Sequence, residues 1–206
     1  MIVSEISALS GGRYKVYIDQ EFAFVLYKGE LRLYKVIVGE EIAEKDYCEI
    51  VERVLPKRAK LRVMNLLQKR QYTEKQLVGK LQEGFYSEEI ITQELEYVKS
   101  YGYVNDKQFA LDYITYHEGS KTERRMIQDL RQRGISESDI KGAFAEWNEL
   151  GGSQDELKMI RELLEKKKYR ADGDLKEKQR VYAFLLRKGF SSENVNKVLG
   201  GMDSYA

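Results

Sequence analysis

The stretch Leu77-Val78-Gly79-Lys80-Leu81-Gln82-Glu83-Gly84-Phe85-Tyr86-Ser87-Glu88-Glu89-Ile90, running on to Phe109, decides how this chain is read. An apolar helical run closes at Gly84-Phe85, a second opens at Ser87 and closes at Gly102, and a third opens near Asn105. Glycine ends a helix because only glycine turns left-handed there without steric cost. Serine followed by acids opens one, since its hydroxyl accepts an orphan N–H and the acids suit the positive end of the dipole. The pattern recurs as Gly134-Ile135-Ser136 with Ile140, and as Gly189-Phe190-Ser191 with Val195. A spacing of roughly 50 residues identifies tandem helical repeats near the long end of solenoid periods.

Around this array the texture changes. In residues 1–42, Tyr14, Val16 and Ile18 alternate with Lys15 and Tyr17, the period of a half-buried strand. Phe22 to Tyr27 is a second strand, and Leu31 to Val38 supplies a third strand or an irregular run before Gly39. Turn signals stand at Gly11-Gly12 and Lys28-Gly29. A three-stranded meander is marginal alone and has to pack on the helix that follows. Tyr14, Tyr17 and Tyr27 are read as cross-strand packing rather than a stacking platform.

The expected architecture is mainly α. It has a β-rich segment over 1–42, a connecting helix over 43–56 with Pro56 at the junction, and three-helix repeats over 57–104, 105–150 and 151–206, stacked in an elongated curved array. Thr73 to Gln76 fits a capping box, and Ser153 to Glu156 a second. The core stripe of the second repeat is Phe109, Tyr113 and Tyr116 with Ala110 and Ile114, then Met126, Leu130, Ile140, Phe144 and Trp147. A basic connection from Lys166 to Asp174 interrupts the third repeat.

The 206 residues, 33% charged and 42% hydrophobic with a single proline, describe a helix-rich globular chain. One cysteine, Cys48, excludes an internal disulfide and reads as a small buried side chain; with one histidine, His117, no zinc site of ordinary composition is expected. There is no phosphate-cradling glycine loop and no nucleophile–base pair, so neither catalysis nor a cofactor is expected. No signal-peptide build or membrane-length apolar run is present, so a cytoplasmic protein is expected.

What stands out is the placement of cations on a chain of net charge +1. From Lys57 to Lys80 there are eight bases, among them Lys57, Arg58 and Arg62, against one acid, Glu74. Arg131 and Arg133 precede one helix stop and Arg187 and Lys188 another, while Lys121, Arg124 and Arg125 open the middle helix of the second repeat. Cations at a helix C-terminus are favoured by the dipole, which accounts for Arg133 and Lys188. Arg124 and Arg125 sit at the unfavourable end, and so mark an anionic partner.

The run Gly102-Tyr103-Val104-Asn105-Asp106-Lys107-Gln108-Phe109-Ala110 resembles the Gly-Tyr-(Leu/Val)-(Asp/Asn)-Asp-x-x-Phe-Ala signature of the RecX regulatory proteins. Arg125 to Leu130 ahead of Gly134-Ile135, and Phe184 to Phe190, are similar to later parts of that family, so the likeness spans about residues 57–200. Thr122 stands near where the family has a glycine, and the segment before Gly84 looks one residue short. The resemblance implies a monomeric modulator of RecA recombinase. Such a protein lies in the groove of the RecA–single-stranded DNA filament and limits its growth, ATP hydrolysis and strand exchange, with consequences for DNA repair and the SOS response. Two alternatives are a single-stranded nucleic-acid binder acting without RecA and a pure protein-interaction scaffold.

Overall fold

The computed structural model describes residues 1–169 and 175–203. Strands β1 (Val3–Leu9), β2 (Arg13–Ile18) and β3 (Glu21–Tyr27) form an antiparallel sheet in that order. The meander is as expected, but its third strand lies at the chain start and not at Leu31–Val38. β1 reads Val-Ser-Glu-Ile-Ser-Ala-Leu, and a register shift between Val3 and Glu5 breaks its alternation, which hides it from a period-two reading. The expected third strand is instead helix α1 (Lys28–Leu33), closed over Tyr27 by Glu30, whose carboxylate accepts from the Tyr27 N–H at 2.7 Å. Gly11 and Gly12 make the first hairpin turn with φ of +74° and +70°. The second turn uses Asp19 and Gln20, held left-handed by the bonds of Ile2 N–H to Asp19 Oδ1 and Gln20 N–H to Ser4 Oγ.

One helical run then passes through α2 (Glu44–Glu49), a π-helical segment (Ile50–Val54) and α3 (Leu55–Leu67). Pro56 is therefore inside a helix rather than at a junction, so the boundary placed after residue 56 falls within a continuous rod. The Leu55 N–H reaches back five residues to the Ile50 carbonyl, and this wider turn accommodates a proline that has no N–H to give. Cys48 on α2 is exposed, not buried as expected: the buried faces of this rod are taken by Ile50, Leu55, Ala59 and Val63.

The repeat helices are α4 (Glu74–Gln82) and α5 (Glu88–Ser100) after α3; α6 (Asp106–His117), α7 (Glu123–Gln132) and α8 (Glu137–Glu149); and α9 (Glu156–Lys166), α10 (Leu175–Arg187) and α11 (Ser192–Asp203). Packing is strongest between first and third helices of the later trios, α6 on α8 and α9 on α11, and α3 packs on α5 in the same manner. Residues 170–174 of the expected basic connection lie outside the described residues. The chain forms two compact units, Met1–Asn105 and Asp106–Ala206. In the first, sheet residues Val3, Val16, Phe24 and Leu26 share one core with Ile50, Val63, Leu77 and Leu95. In the second, α6–α8 enclose Ile114, Met126, Leu130 and Trp147, while α9–α11 enclose Ile160, Leu164, Leu185 and Val195.

The recurring stop-and-start sentence has a common geometry. Backbone N–H groups of Tyr86, Ile135 and Phe190 reach back five residues to the carbonyls of Leu81, Leu130 and Leu185. The Ser87, Ser136 and Ser191 hydroxyls then accept from the N–H three residues on. In this register the residue matching Gly134 and Gly189 is Phe85, at φ +61°, and not Gly84. That one-residue offset is why the segment before Gly84 looks short. Thr73 makes the expected capping box with Gln76, but Asp155, not Ser153, caps α9 by accepting from the Lys158 N–H. Trp147 is core as expected, whereas Tyr116 is 81% exposed: the inner face of α6 is Ala110, Leu111 and Ile114.

Candidate nucleic-acid interface

The start of α7 is built by its own loop. Thr122, 1% exposed, caps the helix by accepting from the Arg125 N–H at 3.2 Å, and its hydroxyl donates to the Lys188 carbonyl at 3.2 Å. One side chain thereby ties the start of α7 to the end of α10. Gln154 adds a clamp from the segment before α9: its amide donates to the Lys121 carbonyl, and its oxygen accepts from the Glu123 N–H. These ties bring together Lys121, Arg125, Arg187 and Lys188, four of the expected cations, around a cavity of about 440 Å³. Ser120 and Thr122 stand beside them, and Leu163, Phe184 and Phe190 form its apolar wall.

Asp129, one turn further along α7, organises two of the four. Its carboxylate receives Lys121 Nζ at 2.8 Å, the Tyr113 hydroxyl at 2.7 Å and Arg125 Nη2 at 3.1 Å. Burial pushes this carboxyl up, but the bonds from Lys121 and Tyr113 and the charges of Lys121 and Arg125 outweigh it and hold the carboxyl below its ordinary value. Burial likewise works against the Lys121 ammonium, and the bonds to Asp129 and Tyr113 more than restore it. His117, edge-on to Tyr113, is pushed below its ordinary value by burial and then by the Lys121 charge. Arg187 and Lys188 are exposed and meet no carboxylate among the described residues; the Lys188 ammonium stands 5.8 Å from the Phe184 ring centre.

The other expected site residues are placed elsewhere. Arg124 is exposed on α7 beside Arg125. Arg131 forms a fork with Glu137, Nη2 to Oε2 at 2.9 Å, and Arg133 lies over the Phe109 and Tyr113 rings. Lys57 is exposed on α3 of the first unit. Arg58 there is turned inward, donating to Glu30 at 2.9 Å and to the Val25 carbonyl at 2.7 Å, so it fastens β3 and α1 to the rod. Arg62 donates to the Lys80 carbonyl at 3.1 Å. The sequence reading named the cations but missed Thr122 and Gln154, whose types carry no charge signal. Among the described residues no helix is long and apolar enough to cross a membrane, and no group of His, Cys, Asp and Glu could hold a metal ion.

Residues 154–199 match the model of the RecX third three-helix domain. The regulatory protein RecX of Caldanaerobacter subterraneus is 30% identical over 200 residues, which is 97% of this chain and 98% of that protein. RecX of Bacillus subtilis is 26% identical over 91% of this chain and 71% of its own length. A crystal structure of regulatory protein RecX superposes with a TM-score of 0.61 at 28% identity, covering 97% of this chain and 98% of that one. RecX from Lactobacillus salivarius shares the fold at a TM-score of 0.58 over 72% of this chain and 97% of that one. With a relative matched along almost its whole length and the three-helix trios in place, the chain belongs to the RecX family of regulatory proteins.

Proposed function

We propose that this protein is a non-enzymatic, cofactor-free negative modulator of RecA recombinase, acting as a cytoplasmic monomer in the groove of the RecA–single-stranded DNA filament. Family membership supports the regulatory role. The observation that carries the mode of action is the cation-lined cavity between α7 and α10, on a chain whose overall charge is only +1. A surface of this kind meets an anionic filament through contacts that do not depend on sequence and that weaken with salt. Arg124, exposed on α7 one residue before Arg125 and outside the cavity lining, belongs to the same proposed contact set. Lys57, exposed on α3, belongs to the proposed contact set as it stands, and Arg131, Arg133, Arg58 and Arg62 belong to it only so far as their present partners release them.

The test is the single-stranded-DNA-dependent ATP hydrolysis of the cognate RecA. Wild-type protein should inhibit well below one molecule per RecA protomer. R124E/R125E should inhibit weakly. R187E/K188E should do the same, and among the described residues these two have no carboxylate partner whose loss would disturb the fold. Absence of inhibition at equimolar wild-type protein would sink the proposal. Tight binding to bare oligonucleotide in that case would favour a nucleic-acid binder acting without RecA.

A further inference from the structure

We propose that the cavity framed by α7, α9 and α10 is a phosphate pocket that takes the phosphate groups of a nucleotide, either free or within a single strand. The assignment deepens the regulatory reading above and rests on it for the strand, though not for the pocket.

The first argument is charge. Four cations converge on the cavity, and among the described residues the carboxylate that answers them is Asp129, shared between Lys121 and Arg125. Those two are thereby held in place with donors to spare. Lys121 spends its ammonium on Asp129 and Tyr113, and Arg125 spends its two terminal nitrogens on Asp129 and Gln128 out of a fork of five N–H donors. Arg187 and Lys188 reach the cavity from the opposite repeat, exposed and without a carboxylate partner among the described residues. Like charges gathered in one concavity repel, and an anion entering it removes that repulsion.

The second argument is shape and donor type. Arginine forks and ammonium groups reaching in from two helices suit a ligand with several anionic oxygens better than a single carboxylate. The cavity exceeds a lone phosphate and continues along Leu163, Phe184 and Phe190, an apolar wall that suits the sugar and base attached to that phosphate. The third is assembly. Thr122 bonds both the Arg125 N–H and the Lys188 carbonyl, so the fold itself fixes the distance between the two cation pairs.

The full-length chain is titrated with three probes: pyrophosphate and ATP by calorimetry, and a labelled 20-residue oligothymidylate by fluorescence anisotropy, across about 50–200 mM salt. R187Q/K188Q is the test variant and K45Q, at an exposed position of α2 on the other unit and outside the proposed contact set, the control. The expected result is oligothymidylate binding that pyrophosphate displaces. The double variant should weaken it at least tenfold and lower the salt slope by about 1.4, and K45Q should leave it unchanged. Binding of pyrophosphate and ATP without the oligonucleotide also supports the pocket and makes free nucleotides the ligand. Failure of all three probes, or equal affinities for wild type and the double variant, overturns it. If the chain restrains RecA while no probe binds, the phosphate pocket falls and the regulatory reading stands. If probes bind while RecA is untouched, the reverse holds.

Discussion

Asp129 gathers an ammonium, a guanidinium and a phenol on a side chain only 11% exposed, and its removal should be felt at once. Asp129→Asn should destabilise the protein by about 2 kcal/mol near neutral pH, because it leaves two half-buried cations without their counter-charge. The native carboxyl titrates below its ordinary value, so on acidification the unfolded chain takes up its proton first. The stabilisation is therefore complete above the ordinary aspartate value and is lost as pH falls through the native one. Urea unfolding at about pH 7 and pH 3 should show a smaller difference between wild type and variant at the lower pH. Glu94 on α5 is the opposite case. It is 4% exposed, its Oε2 has no hydrogen-bond partner among the described residues, and burial raises its carboxyl further than the Lys60 charge lowers it. The folded state thus prefers the protonated acid, and stability declines as pH rises through that raised value. Glu94→Gln should gain about 1 kcal/mol near pH 8 and nothing near pH 4, again by urea unfolding. Glu94 is not legible in the sequence, because an acid at a core position of a helix leaves no mark beyond its spacing from Ile91 and Leu95.

At the scale of elements, the left-handed stops decide how neighbouring helices join. A Cβ on Gly189, at φ +96°, would stand 2.4 Å from the Thr122 hydroxyl, so this stop is also the seat of the link between α7 and α10. Gly189→Ala should cost about 2 kcal/mol, from backbone strain and a displaced Thr122, and should weaken phosphate binding with it. Phe85 meets the same backbone demand at φ +61° without glycine's freedom, in exchange for ring contacts with Phe22 at 6.1 Å and the Lys15 ammonium at 4.4 Å. Phe85→Gly should therefore change stability by less than about 1 kcal/mol, strain relief offsetting lost contact, when both variants are compared by thermal unfolding. The same junctions show what the chain makes legible. Serine caps, the Thr73 box and the leucine stripes are local, fixed by neighbours within four residues, and they are readable. The exchange of Phe85 for glycine is not, because Gly84 one position earlier satisfies the written pattern while being small for another reason: a Cβ there would meet the Tyr86 ring at 2.6 Å. Lys121 and Arg125 could be named beside Arg187 and Lys188 by type. Their adjacency depends on a bond spanning 66 residues, which no local period encodes.

For the molecule as a whole, the distribution of buried residues sets the unfolding behaviour. Every residue of the sheet-and-rod core lies between Val3 and Val104, and the cores of the second unit lie between Ala110 and Val198. Inside the second unit, the Thr122 and Gln154 bonds join two cores that would each be small alone. Hydrophobic clusters of this separateness unfold as separate cooperative units, so scanning calorimetry of the intact chain should resolve two transitions, with a calorimetric enthalpy larger than the van't Hoff value. Phe24, 1% exposed, and Leu130, fully buried, report on one unit each. Truncating either to alanine should cost about 3 kcal/mol in its own unit. For units of this size that is a fall of more than about 10 °C in one transition with the other unmoved. Phe24→Ala should shift one peak and leave phosphate-pocket binding intact, while Leu130→Ala should shift the other and weaken that binding. A single transition lowered equally by both variants would show that the two units melt as one.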